Sequence, residues 1–162
     1  MAWYLDTRFR CLDICRELLA RKAQCHYSEG GDRWSWRNHA QPTFPFYGDC
    51  SSTFTAIDYW AGAADPNGAN FAYGDTATLL AEAKAMKRII PKWRMLPGDG
   101  CLFADPANPA LPHHVAMAMQ FGFRRDPLFF NMGSSQDPSI QPLSVLSTIG
   151  TPIFFRNRTR HR

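Results

Sequence analysis

An α+β domain, with helices packed on a small antiparallel sheet, follows from three features of the sequence. Apolar residues recur at helical spacing through the first half of the chain and alternate at strand spacing in the second. No repeat or linker divides the two halves. The 162 residues are the size of one domain, expected to span 1–155 and to be followed by a basic tail over 156–162.

The elements are expected in this order. From Asp6 to Ala23, the apolar residues Phe9, Leu12, Cys15, Leu18 and Leu19 fall at three- and four-residue steps with Arg and Glu between them, which predicts a helix. From Tyr27 to Gly48 the pattern breaks into Gly-Gly, Trp34, Trp36, Pro42 and Pro45, a long loop anchored by rings. Gly48-Asp49 leads into a helix that starts at Cys50, shows Phe54, Ile57 and Ala61 on one side, and ends at Gly62. Asp65-Pro66-Asn67-Gly68 is a turn, and Asp75 is the N-cap of a helix running to about Arg88. Pro97-Gly98-Asp99-Gly100 then turns the chain into a short strand, CLFA. A Pro-rich loop through Pro106, Pro109 and Pro112 precedes a second strand, HHVAMAMQ, and LFFNM and PIFFR supply two more.

Composition narrows the function. No apolar stretch approaches the roughly 20 residues of a membrane span, and MAWYLDTRFRCLD carries charges where a secretory signal would be apolar. The chain is therefore expected to be made in the cytoplasm without a signal peptide. The net charge of +4 gathers partly in Arg156, Arg158, Arg160 and Arg162, read as a solvated tail rather than a polymer-binding arm. No nucleic-acid motif is present, so nucleic acid is not an expected partner. Five cysteines, an odd number without regular spacing, argue against a disulfide framework. Cys11, Cys15, Cys25 and His26 form a conceivable zinc set, but Cys11 and Cys15 lie one turn apart within an apolar-periodic helix and read as packed thiols. No metal or other cofactor is expected.

The chemistry centres on Cys50. A helix start offers free N–H groups and the positive end of the dipole, both of which favour a thiolate. Among the histidines, His113 and His114 open a strand and point to opposite faces. His114 shares its face with Ala116 and Ala118, small residues that would let the helix bearing Cys50 pack close. His114 is therefore the expected base, with His113 as the fallback. Trp34, Trp36 and Phe46 are candidates for walling a groove or for pinning the loop to the core, and Asp99 belongs to its turn.

Asp-Cys-Ser at a helix start, Pro-Gly-Asp before a strand and His-Val opening the next, in that order, resemble the NlpC-type family of papain-like cell-wall cysteine peptidases, and its phage lysin members most in texture. HYSEGGDRW ahead of Cys50 and GAADPNG after its helix resemble segments of those lysins, so the likeness runs from His26 to about Pro142. It implies a papain-like fold and hydrolysis of the peptidoglycan stem peptide, typically between D-glutamate and the diamino acid. Bacterial peptidoglycan would be the partner, met by a monomer that inserts into no membrane. The resemblance assigns Cys50 as nucleophile and His114 as base. It calls for a third, orienting residue after His114, which Asn131 fills chemically, whereas a shifted register would place Met132 there. Tyr27 corresponds to a family tyrosine beside the nucleophile; Asp49, Ser51, Trp34 and Trp36 complete the candidate substrate contacts. The family often has glycine where Ser52 stands, and its usual third residue is histidine. An amidase or acyl transferase using the same dyad, and a non-catalytic wall-binding or virion module, are the alternatives.

Overall fold

The computed structural model describes residues 2–133 and 136–156. The first helix, α1, spans Ala2–Ala20, and a 3-10 turn at Lys22–Gln24 follows it. Its inward face is Cys11, Leu12, Ile14, Cys15 and Leu18, whereas Phe9, expected on that face, is 59% exposed. The expected loop that follows holds more structure than its composition suggests. Strands β1 (Cys25–Tyr27) and β2 (Phe46–Gly48) pair in parallel across it, and Gly31–Asn38 winds into a 3-10 helix. Proline and glycine obscure strands of three residues, because so short a run shows no alternation.

Helix α2 (Cys50–Ala61) has the expected bounds. Asp49 and Ser52 form a reciprocal capping box at its start, and Gly62 closes it in the left-handed region at φ 74°. Helix α3 (Thr76–Ala85) carries the same device between Asp75 and Thr78. The main sheet contains β3 (Gly100–Asp105), β4 (Asn108–Ala118), β5 (Leu128–Gly133), β6 (Gln136–Pro142) and β7 (Thr151–Phe155), with a one-turn helix α4 (Leu143–Leu146) before the last strand. Its order is β6-β5-β4-β3-β7, and every neighbouring pair is antiparallel. The α+β class is thus as expected, but two stretches differ. The Pro-rich segment is not a loop: β4 already begins at Asn108, and register shifts between Phe103 and Asp105 absorb its prolines. The strand β6 has no counterpart in the sequence reading.

Two hydrophobic layers cover the sheet. On one face, α1 and α2 pack over Leu102, Val115, Met117, Phe130, Met132 and Phe155. On the other, Met95, Leu143 and Leu146 cover Cys101, Phe103, Ala116, Ala118, Phe129 and Phe154. This corrects the expected packing, since the helix bearing Cys50 lies over the Val115–Met117 side of β4 and not over Ala116 and Ala118. Large residues do not repel the helix here. They interdigitate with Phe54 and Ile57 to form its core contact.

The thiols of α1 are packed inside, as expected. The Cys11 thiol approaches Asp58 Oδ1 at 3.7 Å, and Cys15 Sγ lies 3.7 Å from Met117 Sδ. The turn before β3 is clamped by charge. Asp99, fully buried, meets Arg8 Nη2 at 2.9 Å, Arg156 Nη2 at 3.3 Å and the Leu96 N–H at 2.9 Å. Arg156 therefore belongs to the fold and not to the tail, while Arg158, Arg160, Arg162 and His161 lie outside the described residues.

Removing the Asp99 carboxylate leaves cations without their buried partner, a loss that costs about 3–5 kcal/mol. Asp99→Ala is expected to lower the midpoint of urea unfolding accordingly, and an unchanged midpoint would show that the clamp contributes nothing.

Candidate active site

The start of α2 is built around Asp49. Its Oδ1 accepts the Ser52 N–H at 2.6 Å and the Ser51 hydroxyl at 2.9 Å, while Oδ2 is paired with Arg33. The Asp49 N–H in turn donates to Ser52 Oγ at 2.9 Å, and the Thr53 N–H donates to the Asp49 carbonyl at 3.0 Å. Gly48 permits this tight entry, because a Cβ there would lie 2.5 Å from Thr53 Oγ1. Ser52 and Thr53 have thus given their N–H groups away, and those of Cys50 and Ser51 are left facing the Cys50 sulfur. Asp49 and Ser51, expected as substrate contacts, are buried parts of this cap.

Opposite the sulfur, the sheet comes apart. Strands β4 and β5 are paired at Ala118–Phe129 and Met117–Phe130 and no further toward His114. Along β4 the Ala118 N–H points to β3 and that of Met119 to β5, so by alternation the Val115 N–H points to β5. With no ladder partner there, it donates to Cys50 Sγ. The parted strands leave a tight slot, lined by Cys50, Val115, Ala116, Asn131 and Met132 among others, with no room for a water-sized molecule.

His114 approaches from the other face. It pairs with Phe103 across β3, and its ring lies 6.0 Å from the Phe103 ring, within the layer that holds Ala116. Asn131 Nδ2 donates to Ser139 Oγ at 3.1 Å, and the Asn131 side chain also hydrogen-bonds the imidazole. His114 Nε2 is buried and makes no hydrogen bond. The structure therefore brings Asn131 to His114 and turns Met132 toward the α2 core. His113 sits at the bulge, skipped in the β3–β4 register, and is exposed.

The electrostatics correct one expectation. Burial pushes the Cys50 thiol up to about 11 and outweighs the Val115, Ser51 and Cys50 N–H groups, while the Asp49 charge adds to the rise. The helix start does favour a thiolate, but the slot disfavours it more. Burial also lowers His114 to about 4, with His113 pushing the same way and Asn131 opposing. At neutral pH the resting pair is a thiol and a neutral imidazole.

Around the slot, Tyr27 reaches the cysteine through β1, whose partner Gly48 is two residues from Cys50. Burial raises its phenol, followed by the hydrogen bond to Glu29 at 2.9 Å and the Cys50 charge. Trp36 is 1% exposed and packs against Tyr59, Trp60 and Phe71, and Phe46 is likewise buried, so both pin the loop and neither walls a groove. Trp34 is half-buried beneath the guanidinium of Arg37 at 4.3 Å. Arg33, which holds Asp49 from the same 3-10 helix, escaped the sequence reading, since no spacing links it to Cys50.

These protonation states set a pH signature. Alkylation of Cys50 should rise about tenfold per pH unit from pH 7 to 10, because the thiolate fraction does so below its pKa. A plateau near neutrality would mean a preformed ion pair. The His114 ring proton should titrate near pH 4 by NMR, and Asn131→Ala should move that midpoint lower, since the Asn131 bond favours the charged ring.

Neither models of known protein families nor curated proteins give a match to this chain, so the reading of the site rests on its own geometry and motifs.

Proposed function

We propose that the chain is a cysteine-nucleophile hydrolase of amide bonds, acting on the stem peptide of bacterial peptidoglycan. The observation that carries this reading is the convergence at the β4–β5 split. The Cys50 thiol, with N–H groups about it, lines the slot together with Asn131, and Asn131 hydrogen-bonds the His114 imidazole on the other face of the sheet. The substrate class is carried by the ordered likeness of the Asp-Cys-Ser, Pro-Gly-Asp and His-Val segments to NlpC-type peptidases, and the D-glutamyl–diamino acid bond is the expected point of cleavage.

In this mechanism Cys50 Sγ bonds to the amide carbon as its proton passes to His114 Nε2, the unengaged nitrogen. The oxyanion is met by the N–H groups of Cys50 and Ser51, which the capping box leaves free. The C–N bond breaks, and the leaving amine takes the proton from the imidazolium. Water then attacks the thioester, giving one proton to His114, which returns it to the departing sulfur. Since Nε2 has no partner at rest, substrate must open the slot and bring ring and sulfur together. The neutral resting pair suits this, because no ion pair has to be broken first.

Purified sacculi incubated with the protein should release fragments with new amino termini on the diamino acid, read by mass spectrometry. Free N-terminal alanine would assign an amidase. Cys50→Ala should abolish release with an unchanged circular dichroism spectrum, and retention of activity would discard the mechanism. Asn131→Ala should slow turnover by about 10-fold or more, while His113→Ala should leave it near wild type.

A further inference from the structure

Away from the slot, two loops bring exposed rings together. The 3-10 turn Lys92–Arg94 carries Trp93, 68% exposed, and the β4–β5 connection carries Phe121 and Phe123, 45% and 73% exposed. The two phenyl rings stack at 5.3 Å. The loops are locked to each other: the Gly122 N–H donates to the Met95 carbonyl at 2.9 Å, and Lys92 Nζ donates to the Arg125 carbonyl at 3.0 Å. A Cβ at Gly122 would lie 1.8 Å from the Lys92 carbonyl oxygen, so only glycine allows this approach. The rings are thus held out on a rigid support, where water gains nothing by surrounding them.

Cations frame these rings. Lys92 and Arg94 flank Trp93, with the Arg94 guanidinium 5.6 Å from its ring, and Arg124 and Arg125 follow Phe123. The acid within this connection, Asp126, has both carboxylate oxygens occupied by Ser144. Arg156, where the described chain ends, is bonded to the Arg94 carbonyl.

We propose that this aromatic and cationic surface docks on an anionic phospholipid bilayer, with the rings at the headgroup level and the arginines on lipid phosphates. Three observations favour a bilayer over a carbohydrate polymer. Phe121 and Phe123 cap the connection between two strands. Phe121 and Phe123 have no polar edge with which to bond sugar hydroxyls. Lys92, Arg94, Arg124 and Arg125 at the tips outnumber the one carboxylate of Asp126, a cationic excess of the kind that binds peripheral proteins to anionic membranes. Such contact lies at the interface and needs no spanning helix, and no helix among the described residues is long and apolar enough to cross a membrane.

The test is co-sedimentation of the full chain with phosphatidylcholine vesicles with and without phosphatidylglycerol. Binding is expected only to the anionic vesicles and should be reversed by high salt, as screening requires. The paired substitutions Trp93→Ser with Phe123→Ser, and Arg124→Glu with Arg125→Glu, should each weaken it by about tenfold or more. All four residues are exposed, so both variants should keep the wild-type melting temperature. Absence of binding to anionic vesicles, or wild-type binding by both variants, overturns the proposal. So does retention on purified sacculi, in place of vesicles, that the same substitutions abolish.

Discussion

The parting of β4 and β5 beyond Met117 is the constraint on which the candidate site depends. A continuous ladder would spend the Val115 N–H on β5 and seal the sheet between its two faces. Because pairing stops, that N–H turns to the Cys50 sulfur, and Asn131, which holds His114 on the other face, shares the slot with Cys50. Asn131, at the place where Ala116 would otherwise find its partner, bonds Ser139 and His114 through its side chain. An unpaired stretch of backbone, costly elsewhere, here supplies a donor and an opening.

Electrostatics and packing at the seam pull in opposite directions, and their balance fixes the resting state. The first turn of α2 and the Val115 N–H favour a negative sulfur. The dry slot and the neighbouring Asp49 oppose it more strongly, and the thiol stays protonated. The same dryness keeps His114 neutral. The Asp49–Arg33 pair moderates this, since a guanidinium beside the carboxylate offsets part of the charge that the sulfur would otherwise face. The site is therefore one whose activation belongs to substrate entry and not to a stored ion pair.

What the sequence made legible follows the range of the interactions involved. Helix α2, its Gly62 end and the Asp75 cap of α3 are written within a few residues and stand as expected, whereas Asp49, expected as a substrate contact, is the cap of α2. Asn131, the residue that fills chemically the third role the resemblance calls for, does lie against His114. The side of β4 that receives α2 was misread, because small residues allow close packing without requiring it, whereas Val115 and Met117 had more apolar surface to bury. The short strands β1 and β2, the strand through Pro109 and Pro112, and Arg33 depend on contacts distant in sequence, which no local period encodes.

The two layers on the sheet also give the Asp99 clamp a consequence for the site. Asp99 joins Arg8 of α1, in the layer holding Cys50, to Arg156, which directly follows Phe155 of β7, so the clamp ties that helix layer to the edge strand of the sheet. Neither layer carries a complete set of reactive groups, so nucleophile and base stay in register only if the layers keep their offset across β3 and β4. A hydrophobic sandwich resists sliding poorly, since burial is non-directional. A buried carboxylate shared by two guanidiniums is directional, and its geometry tolerates little displacement. Placed at the head of β3, it holds α1 to the sheet, and α1 in turn packs on α2, the helix that carries the sulfur.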